Sequence, residues 1–176
     1  MLTFDNIIIY RLNMTETPNN VNNADINTSM PLDIMGLFFF AYRDFVIDAD
    51  AMLKEKGFGR AHHRVLYFVN IRPAMSVATL LSILKITKQS LARVLRQLID
   101  YGYIEQKRGE NDRRQRLLFA TKKGEEFFAK LSATQAIRIN EAIGKLPQDS
   151  RNIIKQFLIE MVDEGELVML EKLKLK

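Results

Sequence analysis

The stretch from Val77 to Gly102 leaves this chain few ways to fold. In "VATLLSIL", Val77, Leu80, Leu81 and Leu84 recur at the spacing of one helix face. In "KQSLARVLRQLIDYG", Leu91, Val94, Leu95, Leu98 and Ile99 form a second such stripe. Only Lys85, Ile86 and Thr87 lie between the two runs. Two short amphipathic helices this close can bury both stripes only by turning a tight corner against each other. Thr87 is a good N-cap for the second helix, because its hydroxyl can accept an otherwise unpaired backbone N–H. Gly102 is a good stop, because glycine adopts the left-handed backbone that ends a helix.

Beyond this helix pair the pattern changes to strands. "YIEQKR" and "RQRLLFA" flank "GENDR", whose turn-forming residues suit the tip of a hairpin. Alternation places Leu117 and Phe119 on one face of the second strand and Arg114 and Arg116 on the other. Thr121 then starts a long helix with Glu125 and Glu126 in its first turn, the favourable sign there. That helix runs to about Leu146, and Pro147 breaks it. A last amphipathic helix carrying Ile153, Ile154, Phe157, Leu158, Met161 and Val162 runs on toward the C-terminus.

Upstream, Pro31 to about Lys56 reads as a long helix that is apolar nearly all round, with Gly57 after its end. One apolar face serves its own core, so a second implies a partner helix. A shorter helix, Arg60 to Ile71, ends before Pro73, which steers the preceding residue out of helical geometry. Residues 13–29 hold six asparagines and little apolar surface, so residues 1–30 are expected to be a flexible leader to a single domain, 31–176.

Charge sharpens the picture. The chain carries +5 overall, yet the segment Lys85–Lys123 alone has eleven Lys or Arg against four Asp or Glu. The rest of the chain is therefore slightly acidic, and the positive excess marks one polyanion-binding face. No run of residues is long and apolar enough for a membrane span, and no secretory signal is evident. The chain has no cysteine, which excludes disulfides and thiolate metal sites and fits a cytoplasmic location. There is no glycine-rich phosphate loop, no metal-ligand cluster and no nucleophile–base pair of recognisable spacing, so an enzyme is not expected, nor a cofactor. His62 and His63 are adjacent, but neighbouring helical residues point about 100° apart and no third ligand is near, so no metal is expected.

A basic hairpin directly after a helix-turn-helix is a wing. The stretch "LLSILKITKQSLARVLRQLIDYGYIEQKRGENDRRQRLLFATKKG" resembles the MarR family of winged-helix transcriptional regulators. The likeness in element order spans roughly Leu32 to Leu170. The family's wing pattern, D-x-R, then five residues, then Leu-Thr, appears as Asp112, Arg114 and Thr121, with Ala120 where the family has leucine. The resemblance implies a mostly α fold with a small β-hairpin wing (α+β). A winged helix-turn-helix lobe (60–124) would be flanked by dimerisation helices (31–57 and 125–176).

The second helix of such a unit lies in the major groove with its N-terminal residues at the base edges. Here those are Lys88, Gln89 and Ser90, with Thr87 counted among the DNA-binding residues at the helix start, Arg93 one turn on and Arg96 a turn further, toward phosphate. Gln pairs well with adenine, Lys reaches guanine and Ser takes either role. By resemblance Asp112 positions Arg114, while Arg113 or Arg114 enters the minor groove; Arg108, with Lys107 and Arg116, would meet phosphate. The alternative for these charges is a solvated helix face and a merely braced turn. The expected partners are double-stranded DNA, a second copy of the chain and a small aromatic or phenolic effector near Tyr42, His63 and Tyr67. Those three residues otherwise read as core or interface. Gln89 and Ser90 favour sequence reading over non-specific architectural binding, and Arg113 and Arg114 argue against an interaction module that has lost DNA.

Overall fold

The computed structural model describes residues 31–109, 112 and 114–176. The expectations for residues 1–30 and for Arg113 lie outside them. Among the described residues the chain divides into two units, with the boundary between Tyr42 and Arg43.

Helix α1, Leu32–Glu55, begins as its proline implies, with the Met35 N–H bonding back to the Pro31 carbonyl. In the first unit its side chains Leu37, Phe39 and Phe40 are exposed. In the second unit it buries Val46, Ala49 and Leu53.

That second unit holds the core. After α1 come α2 (Arg60–Ile71), β1 (Met75–Ser76), α3 (Val77–Leu84) and α4 (Lys88–Asp100). Then come β2 (Ile104–Arg108), β3 (Arg116–Ala120) and α5 (Lys122–Gly144). The boundaries expected for α2, for α3 and for the turn at Lys85–Thr87 hold to the residue. Leu66 and Val69 from α2, Leu80 from α3 and Leu91 and Leu98 from α4 meet Ile104, Leu118 and Leu131 in one buried cluster. Each fully buried leucine contributes about 1.5–3 kcal/mol relative to leaving it exposed.

The sheet is antiparallel in the order β1-β3-β2. Strand β1 has no counterpart among the expected elements. It is two residues long and exists only through pairing Met75 with Leu118 and Ser76 with Leu117. The strand alternation holds, but Leu118, on the side of Arg116, is the fully buried residue of β3, while Leu117 and Phe119 are half-buried. Arg114 lies in the turn, before β3 begins.

The wing base is closed by backbone and by size. Ile104 sits opposite Ala120, so the small residue at the family's leucine position still closes against a buried isoleucine. Thr121 donates its hydroxyl to the Gly102 carbonyl (2.6 Å) and accepts the Gly124 N–H. Gly124 is buried so closely under this turn that a methyl group there would overlap the Tyr103 carbonyl oxygen.

The expectation of one last continuous helix needs correction. Helix α6 covers Ser150–Glu160 only; a 3-10 turn (Glu164–Glu166) and a short α7 (Leu167–Lys172) come after it. The stretch "DEGE" interrupts the apolar stripe after Val162, and Gly165 disfavours continuing the helix. No residue of α6 is buried; Ile153, Phe157, Leu158 and Met161 are exposed. Among the described residues no helix is long and apolar enough to cross a membrane.

Candidate nucleic-acid interface

Helix α4 is positioned by its buried stripe and by its cap. Leu91, Val94, Leu95 and Leu98 hold one face in the core. Thr87 accepts the Ser90 N–H at 3.1 Å, a cap of about 1 kcal/mol, and its hydroxyl donates to Ser90 Oγ. Thr87 is thus committed to holding the helix end, and Ser90 keeps its own hydroxyl hydrogen to donate outward. Lys88, Gln89, Arg93 and Arg96 are exposed on the remaining face. Among the described residues none of these three cations is paired with a carboxylate.

The C-terminal part of α4 is fixed by His62, which the sequence pattern brought forward only as a metal ligand and then set aside. It is buried, stacks on Phe58 at 4.7 Å, and touches α4 directly. The Gly59 N–H donates to His62 Nδ1 (3.1 Å), so the hydrogen sits on Nε2, which donates to Gln97 Oε1 at 2.7 Å. Both ring nitrogens are therefore spent on protein partners, and neither has a lone pair to offer a metal. The signal for this role in the chain itself is weak: a histidine on the apolar face of an amphipathic helix.

The wing presents the second cationic element. In the hairpin register Arg108 stands directly opposite Arg116, with Arg116 exposed on β3. Like charges in cross-strand register destabilise a sheet unless an anion lies between or over them. Neither guanidinium is paired with a carboxylate among the described residues; Lys107 pairs instead with Glu105 (2.7 Å) and lies over the Phe119 ring.

Asp112 accepts the backbone N–H of Arg114 at 2.9 Å. The carboxylate thus orients Arg114 through the main chain, and Gly109 and Gln115 close the turn beneath it: Gly109 N–H bonds to Gln115 O, and Gln115 N–H to Asp112 O. Arg114 is exposed. Between α4 and the wing runs a mostly apolar groove of about 610 Å³ whose lining includes Lys88, Arg96, Asp100 and Arg116. Lys88 and Arg96 of α4 and Arg116 of the wing therefore line the same groove.

The residues considered for an effector are less convergent. Tyr42 belongs to the first unit and is half-buried. His63 and Tyr67 stand one turn apart on α2, both half-buried. Tyr67 packs edge-on against Phe68 and Phe128, the behaviour of a core aromatic. Burial holds the His63 imidazole below its ordinary pKa, with Asp50 opposing and Arg64 adding to that shift.

Comparison with known proteins agrees with this geometry. Residues 56–115 match the model of the MarR family. The HTH-type transcriptional regulator PetP of Rhodobacter capsulatus is 43% identical over 125 residues, covering 71% of this chain and 75% of PetP. Among solved structures, Streptococcus pneumoniae FabT in complex with DNA superposes with a TM-score of 0.64 at 19% identity, covering 81% of this chain and 98% of FabT. A MarR transcriptional regulator from Methanosarcina mazei Go1 gives 0.62 at 23% identity, over 78% of this chain and 99% of that one. These last two speak for the fold. With the winged helix-turn-helix, the exposed recognition face and the PetP relationship together, the chain belongs to the MarR family: it is a DNA-binding transcription regulator, not an enzyme.

Proposed function

We propose that the chain is a cytoplasmic, homodimeric, sequence-specific repressor that binds a near-palindromic operator. The observation that carries this is the set of cations on α4 and the wing that no carboxylate among the described residues pairs. Above all it is the Arg108–Arg116 pair, which an anionic backbone would relieve. Lys88, Gln89, Ser90 and Arg93 read base edges in the major groove. Arg96, Arg108 and Arg116 meet phosphate. Arg113 or Arg114 enters the minor groove, where a narrow groove concentrates negative potential.

Two copies are required because one recognition helix covers only a few base pairs; a pair spaced about 34 Å apart reads successive turns of the duplex. The dimerisation helices, 31–57 and 125–176, flank the lobe at 60–124. Exposed Ile137 and Ile139 on α5 and Ile153 and Leu158 on α6 support this, since monomers rarely leave such surface uncovered. A small aromatic or phenolic effector contacting His63 and Tyr67 on α2 would bias the spacing of the recognition helices by binding one dimer state better than another.

Measuring the mass of the purified protein alone and on a selected duplex tests the assembly. The expected result is a dimer free and two chains per operator bound. A monomer at micromolar concentration that binds one chain per duplex would defeat the reading.

A further inference from the structure

The C-terminal residues do not continue away from the fold after α6. Leu173 is only 6% exposed and belongs to the core cluster, with Met169 and Leu175 packed against it. The Arg72 guanidinium, at the end of α2, donates to the Lys172 backbone carbonyl. Glu166, in the 3-10 turn, reaches Lys85 at 2.6 Å. One segment, Glu164–Leu175, is thus fastened to the helix-turn-helix lobe at its apolar core, at the end of α2 and at the turn before α4.

The third fastening falls at a sensitive place. Lys85 caps α3 in the left-handed conformation (φ 48°) and stands shortly before Lys88, the first residue of the recognition helix. When a recognition helix enters the major groove end-on, the turn that precedes it runs beside the phosphates at the groove edge. Lys85 is 62% exposed, so an ammonium at that position is open to solvent apart from the carboxylate placed on it. An exposed ion pair of this kind is weak and readily exchanged. A phosphate and Glu166 would compete for the same cation.

We infer that the C-terminal segment is an intramolecular brake on DNA binding: docked, it holds Lys85 on Glu166 and withholds one phosphate contact from the recognition surface. The brake rests on the DNA-binding reading proposed above and regulates that same surface. The apolar anchor at Leu173 keeps the carboxylate at high local concentration, so the brake acts without a second molecule. A partner or modification that lifted the segment would release it.

The test uses the full-length chain and four proteins: wild type, Glu166→Gln, Lys85→Gln and the double variant. Each is titrated with a selected duplex and a random duplex across a series of salt concentrations. Glu166→Gln is expected to raise affinity for both duplexes about three- to tenfold at low salt. It should also steepen the salt dependence by about 0.9 in log–log slope, one added phosphate contact. The double variant should lose that gain.

No change in Glu166→Gln, or an equal gain in the double variant, overturns the brake while leaving the DNA-binding reading intact. Wild type that ignores both duplexes overturns both. Because Lys85 and Glu166 lie at the surface, unchanged far-ultraviolet circular dichroism should accompany every variant. As a second route, Leu173→Ala, which loosens the anchor, should show the same gain if it remains folded. A folded Leu173→Ala with unaltered affinity would count against the segment as a brake.

Discussion

Replacing Arg116 with glutamine should move stability and DNA binding in opposite directions. In the free protein Arg116 faces Arg108 across the hairpin. Directly opposed like charges on exposed strands cost about 0.2–1 kcal/mol, the magnitude also expected for two unit charges roughly 6 Å apart in a water-like dielectric. Removing one guanidinium recovers that amount, which in a domain of this size raises Tm by about 1–3 °C. The gain should shrink at high salt, where the repulsion is already screened. With DNA present the same change removes a phosphate contact, so affinity should fall alike for selected and random duplexes and the log–log salt slope should flatten by about 0.9. Thermal melts at low and high salt, together with titrations over a salt series, read both effects on one preparation. A variant that melts lower than wild type, or one that keeps the wild-type salt slope, would refute the claim that this pair is held in reserve for an anion.

Gln89→Ala or Arg93→Ala should cost about 1–3 kcal/mol on the selected duplex and much less on random DNA; equal losses on both would remove the residue from base reading. Gly124→Ala should destabilise the fold by about 1–3 kcal/mol in a denaturant melt, because the new methyl meets the Tyr103 carbonyl rather than a movable side chain; an unchanged midpoint would show that the start of α5 can shift freely. For His63 the folded pKa lies below the ordinary 6.5, so the unfolded chain takes up the proton first as pH falls. The stability it contributes is present above about 6.5 and is lost as pH drops through the lowered value. Melts between about pH 8 and pH 5 should show a decline that His63→Gln reduces, and an identical pH profile in the variant would place the effect elsewhere.

Local signals in the sequence carried the helices well because helix boundaries are set locally. Thr87 caps α4 by bonding Ser90 within the first turn, and Gly102 adopts φ 73° just past the helix end; both depend on neighbours in the chain. Strand β1 was illegible because Met75 and Ser76 carry no periodicity of their own and become a strand only by meeting Leu117 and Leu118. The importance of Leu118 was hidden for a similar reason: alternation tells which residues share a face, not which face the helices cover. His62 came forward from the sequence only as a metal ligand, set aside, and only the partners at Gly59 and Gln97 decide that it tethers α2 to the recognition helix. The wing residues were legible as a motif, while the route by which Asp112 acts, through the Arg114 backbone, depends on turn geometry that spacing does not encode.

The central claim is that α4 and the wing read a particular duplex sequence twice, once per subunit. Selecting bound molecules from a random duplex library tests it most directly. The predicted result is enrichment of a near-palindrome whose half-sites lie about one helical turn apart. Recovery of sequences with no shared base pattern, at an affinity set by salt alone, would contradict it.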